Sequence, residues 1–257
     1  MAAAPLPESD AGWYLYGIVA HDRAAPDAAG VDPRHAVVAV AEGPVAGLVS
    51  RVSLTEFDEA ALPQRLSDAA WLEQKIRAHE QVLDAALDSG AVVPCRFCTV
   101  YRDEHDLRHF LADRADVLAS ALARLDGCVE LGVKAFSTAS PGNAEASRAE
   151  SGRAYLEARR QEKQAREDLA RSRAELVHDL HERLLAAAED GVLLDLQSPE
   201  ASGRDTEMVF NASYLVAVAS RFEAELAAAA GDHDGVQLEV TGPWPPYNFV
   251  PEELGRP

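Results

Sequence analysis

With 257 residues, the chain is long enough for one large domain or two ordinary ones, and for a core that needs no disulfide staples. Its composition, 47% apolar and 26% charged, excludes wholesale disorder, and a net charge of −19 argues against a broad footprint on nucleic acid or anionic lipid. Three cysteines, an odd number, exclude a disulfide scaffold and point to a reducing cytoplasm.

The first ten residues hold no basic stretch and no long apolar run, so no signal peptide is expected there. W-Y-L-Y-G-I-V-A at 13–20 is aromatic and β-branched and predicts a first strand. After a turn-rich stretch with Pro26, Gly30 and Pro33, residues 36–41 and 45–52 predict a hairpin around Glu42-Gly43-Pro44. Ser67 can cap a helix running to about Ser89, with Gly90 as its stop. Its apolar stripe is Leu72, Ile76, Leu83 and Leu87. Residues 92–101 return to strand. Asp103 then caps a helix carrying Leu107, Phe110, Leu111, Val117, Leu118, Leu122 and Leu125, ended by Gly127. The order βββαβα reads as an N-terminal α+β domain over residues 1–127.

Residues 128–136 predict another strand, and 137–143 a linker of Ser, Pro and Gly. A long helix is expected over about 144–190. Eight charges in the twelve residues 157–168 leave only Ala158 and Ala165 to bury, so this stretch should be solvent-exposed. Glu162 and Arg166 are placed for an i,i+4 pair, and Leu169, Leu176, Leu180 and Leu184 then restore an apolar face. Strands at 192–196, 207–218 and 236–241, with a helix at 220–230, complete the order βαββαβ. That is the split-βαβ plan of a ferredoxin-like domain, assigned to residues 128–257. The apolar run 214–230 is broken by Arg221, Glu223 and Glu225, so no bilayer-spanning helix is expected. The tail G-P-W-P-P-Y-N-F-V at 242–250 cannot be a regular helix or central strand. Its Trp244, Tyr247 and Phe249 are too much apolar area to leave loose: they either clamp the tail to its own chain or anchor a partner.

Catalytic constellations are weak. Cys95-Arg96-Phe97-Cys98 has redox or metal spacing, but a strand would point positions i and i+3 to opposite faces, and Cys128 alone does not complete a zinc site. His178, His181 and Glu182 lack the zincin order and read as a solvated helix face. His79, between Ile76 and Leu83, reads as a hydrogen-bonded core histidine rather than a base. Asp232-His233-Asp234-Gly235 is a turn too short to cage an ion. With no phosphate loop and no G-x-S-x-G, no catalytic, cofactor-binding or metal-ligating set is expected. The alternative is a ferredoxin-like enzyme or small-molecule-binding protein, since that fold hosts many activities.

Six segments taken in order carry a resemblance: W-Y-L-Y-G-I-V (13–19), V-P-C-R-F-C-T-V (93–100), E-L-G-V-K (130–134), S-G-R-A-Y-L (151–156), N-A-S-Y-L-V (211–216) and L-E-V-T-G-P-W-P-P-Y-N-F-V (238–250). Together they resemble the GvpF/GvpL family of gas vesicle proteins, the GvpF type in particular, from Trp13 to Val250. The resemblance implies two α+β domains, the second a modified ferredoxin-like fold. It also implies non-enzymatic accessory or minor structural work in the gas vesicle and cytoplasm. The partners it implies are the hydrophobic shell protein GvpA, whose aggregation the chain would limit during nucleation, and other accessory Gvp proteins. Tyr155, Leu156, Trp244, Tyr247 and Phe249 are the candidate partner-binding residues. One departure is Cys98, where the family's R-F-G-T pattern places glycine, a residue free to adopt a backbone conformation that cysteine resists.

Overall fold

The computed structural model describes residues 10–58, 60–138, 152–218, 220–233 and 235–250. They form two compact units: one runs to Val129 and takes in the tail from Trp244, and the other spans Glu130–Pro243. The sequence order places the tail with the second half of the chain. The structure groups it from Trp244 onward with the first unit, with Tyr247 on the core there and Phe249 buried.

In the first unit, strands β1 (Ala11–Ala20), β2 (Val38–Glu42), β3 (Val45–Ser53), β4 (Val93–Pro94) and β5 (Val100–Tyr101) make one sheet. Its order is β2-β3-β1-β4, with β5 also on β1, so β1 is central and buried along its length. Two short helices, α1 (Leu54–Phe57) and α2 (Leu62–Leu66), precede α3 (Ala69–Leu87). The cap of α3 is Asp68 rather than Ser67, its carboxylate accepting from the Ala70 and Trp71 N–H groups, an arrangement that typically contributes about 1 kcal/mol. The packing of α3 on β1 requires Gly17, where a Cβ would lie 2.8 Å from Leu83 Cδ2 and 2.9 Å from the Val93 carbonyl.

The buried face of α3 differs from the expected stripe. It comprises Trp71, Lys75, His79, Val82, Leu83 and Ala86, whereas Ile76 is 40% exposed. A lysine can occupy this face because its ammonium is partnered: Nζ donates to the Val31 carbonyl at 2.8 Å and pairs with Glu56 at 3.0 Å. The Trp71 indole donates to the same carboxylate at 2.7 Å.

The expected strand 92–101 is interrupted. Pro94 cannot donate to a ladder, and residues 95–99 loop out between β4 and β5. The Thr99 N–H closes the turn on the Arg96 carbonyl, and the loop is tied to β1 through Cys95 N–H to Tyr16 O and Leu15 N–H to Thr99 O. Opposite it, the β1–β3 register shifts between Leu15 and Gly17, a β-bulge. The single helix expected after Asp103 is likewise two, α4 (Glu104–Asp113) and α5 (Ala115–Leu125), because Arg114 leaves helical geometry. Each keeps its own buried trio: Leu107, Phe110 and Leu111, then Leu118, Leu122 and Leu125.

In the second unit, β6 (Cys128–Ser137), α6 (Gly152–Leu185), β7 (Asp190–Leu193), α7 (Pro199–Ser202), β8 (Met208–Ala217), α8 (Phe222–Asp232) and β9 (Val236–Trp244) follow in order. The sheet order β7-β8-β6-β9 places the first and third strands at the centre, the ferredoxin-like arrangement. Leu180 and Leu184 of α6 and Phe222 and Ala229 of α8 cover Phe210, Ala212, Tyr214 and Val216 of β8. The expected linker beyond Thr138 and the helix start at 144 lie outside the described residues.

Candidate functional site

The tail closes over a chain of buried polar groups in the first unit. Tyr14 stands on β1 and His79 on α3, both fully buried, and the 95–99 loop brings its backbone against them. The Cys98 N–H donates to Tyr14 Oη at 3.0 Å, and Tyr14 Oη lies 2.9 Å from His79 Nδ1. On the ring's other side, His79 Nε2 lies 3.2 Å from Tyr247 Oη, which donates to Glu80 Oε1 at 2.9 Å. With Tyr247 donating to Glu80, the tautomer that satisfies both hydroxyls has Nε2–H donating to Tyr247 and Nδ1 accepting from Tyr14. Each hydroxyl then gives one bond and receives one.

Burial sets the charge states. Desolvation pulls the His79 imidazole down to about 4, opposed by the Cys95 carbonyl, so the ring is neutral at physiological pH. Burial, with Glu80 beside it, raises Tyr247 far above the usual phenol range, and burial raises Glu80 itself despite the Tyr247 bond. A neutral histidine with both nitrogens bonded and no exposed surface holds a tail in place; it has no path to a substrate.

The predicted partner-binding residues fall into two groups. Phe249 is buried, its carbonyl accepting from Arg124 Nη1 at 3.0 Å, and half-buried Tyr247 joins the core, so these two clamp the tail. Trp244 at the end of β9 is 44% exposed, and Tyr155 and Leu156 on α6 are 53% and 61% exposed. Glu80 and Arg124 carry no sequence signal, and Tyr14 is legible only as part of the first strand and its motif, because their roles depend on side chains far away in sequence.

The other candidates settle as structure. Cys95 is 1% exposed, and burial pushes both its thiol and that of Cys98 up to about 12, so neither is a thiolate at neutral pH. They occupy a turn rather than the expected strand, and Cys98 alone among described non-glycine residues has positive φ, at 66°. His178 is exposed, but His181 is not on a solvated face as expected: its Nδ1 lies 3.0 Å from Tyr214 Oη, under the sheet. His233 Nε2 sits 2.9 Å from Asp179, bordering a cleft that also touches Leu169, Leu176 and Val209. Asp234 lies outside the described residues.

Residues 12–251 match the family described as gas vesicle synthesis protein GvpL/GvpF. The chain belongs to that family. Gas vesicle protein L of Streptomyces sp. (strain CB03234) is 38% identical over 218 residues, covering 81% of this chain and 80% of that one. Gas vesicle protein F of the same strain is 28% identical over 267 residues, covering 92% of this chain and 98% of that one. Similarity therefore extends to both types, with higher identity on the L side. The fold matches the crystal structure of GvpF from Anabaena sp. PCC7120, with a TM-score of 0.70 at 19% identity, covering 94% and 96% of the two chains. GvpF from Microcystis aeruginosa gives 0.65 at 18%, covering 93% and 99%. Membership of this family supports a role in gas vesicle assembly.

Proposed function

We propose that the chain is a non-enzymatic accessory protein of gas vesicle assembly that binds the hydrophobic shell protein GvpA and limits its aggregation during nucleation. The observation that carries this reading is the family match across residues 12–251. Supporting it, apolar side chains stand exposed on an otherwise strongly anionic molecule: Trp244, Tyr155 and Leu156 offer contact area, and a charge of −19 keeps a complex dispersed. In this reading the protein works in the cytoplasm and at the growing vesicle, beside other Gvp proteins. His79 is fully buried with partners at both ring nitrogens and lines no open pocket, so it lends no support to the alternative of an enzyme or small-molecule-binding protein.

The test is co-expression with GvpA followed by capture of the chain at physiological salt. GvpA is expected in the captured fraction, and more of it stays soluble than without the chain. Capture that retains no GvpA under either cellular or co-expressed conditions overturns the proposal.

A further inference from the structure

The tail beyond β9 carries its own backbone hydrogen bonds. Among the described residues, the Tyr247 N–H donates to the Pro245 carbonyl at 2.8 Å and the Phe249 N–H to the Pro246 carbonyl at 3.1 Å. Pro243, Pro245 and Pro246 have no N–H to give. The segment is therefore a self-contained turn, and no strand ladder has to break for it to leave. Side chains supply its grip on the first unit: Pro245, Pro246 and Phe249 are buried, the Tyr247 hydroxyl meets His79 and Glu80, and Arg124 Nη1 donates to the Phe249 carbonyl at 3.0 Å.

The body under the turn is complete without it. The buried residues of the core there come from the body of the unit, and Tyr247 packs at their margin, only partly buried. What the turn covers is set for one chemical group. His79 Nε2–H places a donor 3.2 Å from the Tyr247 hydroxyl, and Glu80 Oε1 places an acceptor 2.9 Å from the same oxygen. A donor and an acceptor bracketing one oxygen fit an O–H, and a phenylalanine ring in that place would leave both unpaired. Tyr14 and the Cys98 N–H hold the imidazole in this orientation from behind, without any atom of the tail.

We propose that the tail is a displaceable strap over a tyrosine-selective socket: it opens as one turn from a first unit that stays folded, and the uncovered His79, Glu80 and Arg124 take a Pro-Pro-Tyr-x-Phe turn from a protein partner. The seating of the tail identifies this ligand chemistry, because the tail is the segment that the surface holds. A proline-stiffened turn with its own hydrogen bonds loses little conformational entropy on docking. Tethering favours the chain's own tail, so the socket changes occupant where a partner segment is concentrated beside it. The proposal does not rest on GvpA binding, and its test contains no GvpA.

The test uses the full-length chain with its strap loosened by Tyr247→Phe and Phe249→Ala, and a fluorescent synthetic peptide of the tail sequence P-W-P-P-Y-N-F-V. The loosened chain should keep the parent's circular dichroism spectrum. Fluorescence anisotropy should show saturable binding of the peptide to it, and binding at least about tenfold weaker to the parent, whose own tail fills the socket. A peptide carrying Tyr247→Phe should bind the loosened chain at least about tenfold less tightly, because the bracket is then unpaired. Adding Glu80→Ala to the loosened chain should shrink that difference between the two peptides. Loss of the parent spectrum on loosening overturns the proposal, since the tail is then part of the body rather than a strap. So does the absence of saturable binding, equal binding to parent and loosened chains, or equal affinity for the tyrosine and phenylalanine peptides.

Discussion

Cys98 holds a left-handed backbone that a side chain resists by about 1–2 kcal/mol, and in that conformation its N–H donates to the Tyr14 hydroxyl. Cys98→Gly should therefore keep stability within about 1 kcal/mol, relief of strain offsetting lost contact and added unfolded-state freedom. Cys98→Val, stiff at the same φ, should lose about 1–3 kcal/mol. Chemical denaturation measures both, and equal losses would show that φ is not what matters there. The thiols themselves are dispensable: Cys95→Ser with Cys98→Ser should cost about 1–3 kcal/mol through unpartnered hydroxyls, with the circular dichroism spectrum unchanged. His79 makes a pH prediction whose sign follows from its lowered value of about 4 against an ordinary 6.5. As pH falls below 6.5 the unfolded chain gains a proton that the folded chain refuses, so the stabilising contribution, full above 6.5, is lost progressively down to about 4. Unfolding midpoints measured from pH 7 to pH 4 should fall less steeply in His79→Gln than in the parent; parallel slopes would contradict a neutral buried ring.

At the scale of elements, the tail has two parts with different energetics. Phe249→Ala should destabilise by about 3 kcal/mol, since it empties a buried aromatic site. Trp244→Ala, at a ring 44% exposed, should cost about 1 kcal/mol or less. Thermal melts of the two variants separate clamp from surface: a Trp244→Ala loss as large as that of Phe249→Ala would place the indole with the clamp. Helix α3 shows why periodicity misread a face that it came close to finding. Leu72, Ile76, Leu83 and Leu87 fit a helical stripe, yet the buried face turns towards Trp71, Lys75 and His79. A lysine and a histidine can be interior once Glu56, Val31, Tyr14 and Tyr247 meet their polar atoms, and none of those partners is near in sequence.

For the whole molecule, the proposed work requires surface features that do not stabilise the fold. Tyr155→Ser with Leu156→Ser, and separately Trp244→Ala, should leave the far-ultraviolet spectrum unchanged and weaken GvpA capture, each by about tenfold, as expected when one apolar anchor worth about 1.4 kcal/mol is lost. Quantitative capture from co-expressing cells measures this, and undiminished capture in both variants would move the binding surface elsewhere.

The sequence by itself determined the principal strands and helices, the ferredoxin-like order of the second half and the exposed stretch 157–168, because each rests on local spacing: strand alternation, helical period, or charges with nothing to bury. The family was equally legible, carried by short motifs such as W-P-P-Y-N-F-V. Only the tertiary structure decided where the tail belongs, that Cys98 takes a glycine's conformation, and which way α3 turns. Those outcomes depend on buried polar groups satisfied across tens to more than a hundred residues of separation, as between His79 and Tyr247, and no periodic pattern encodes a hydrogen-bond partner that distant.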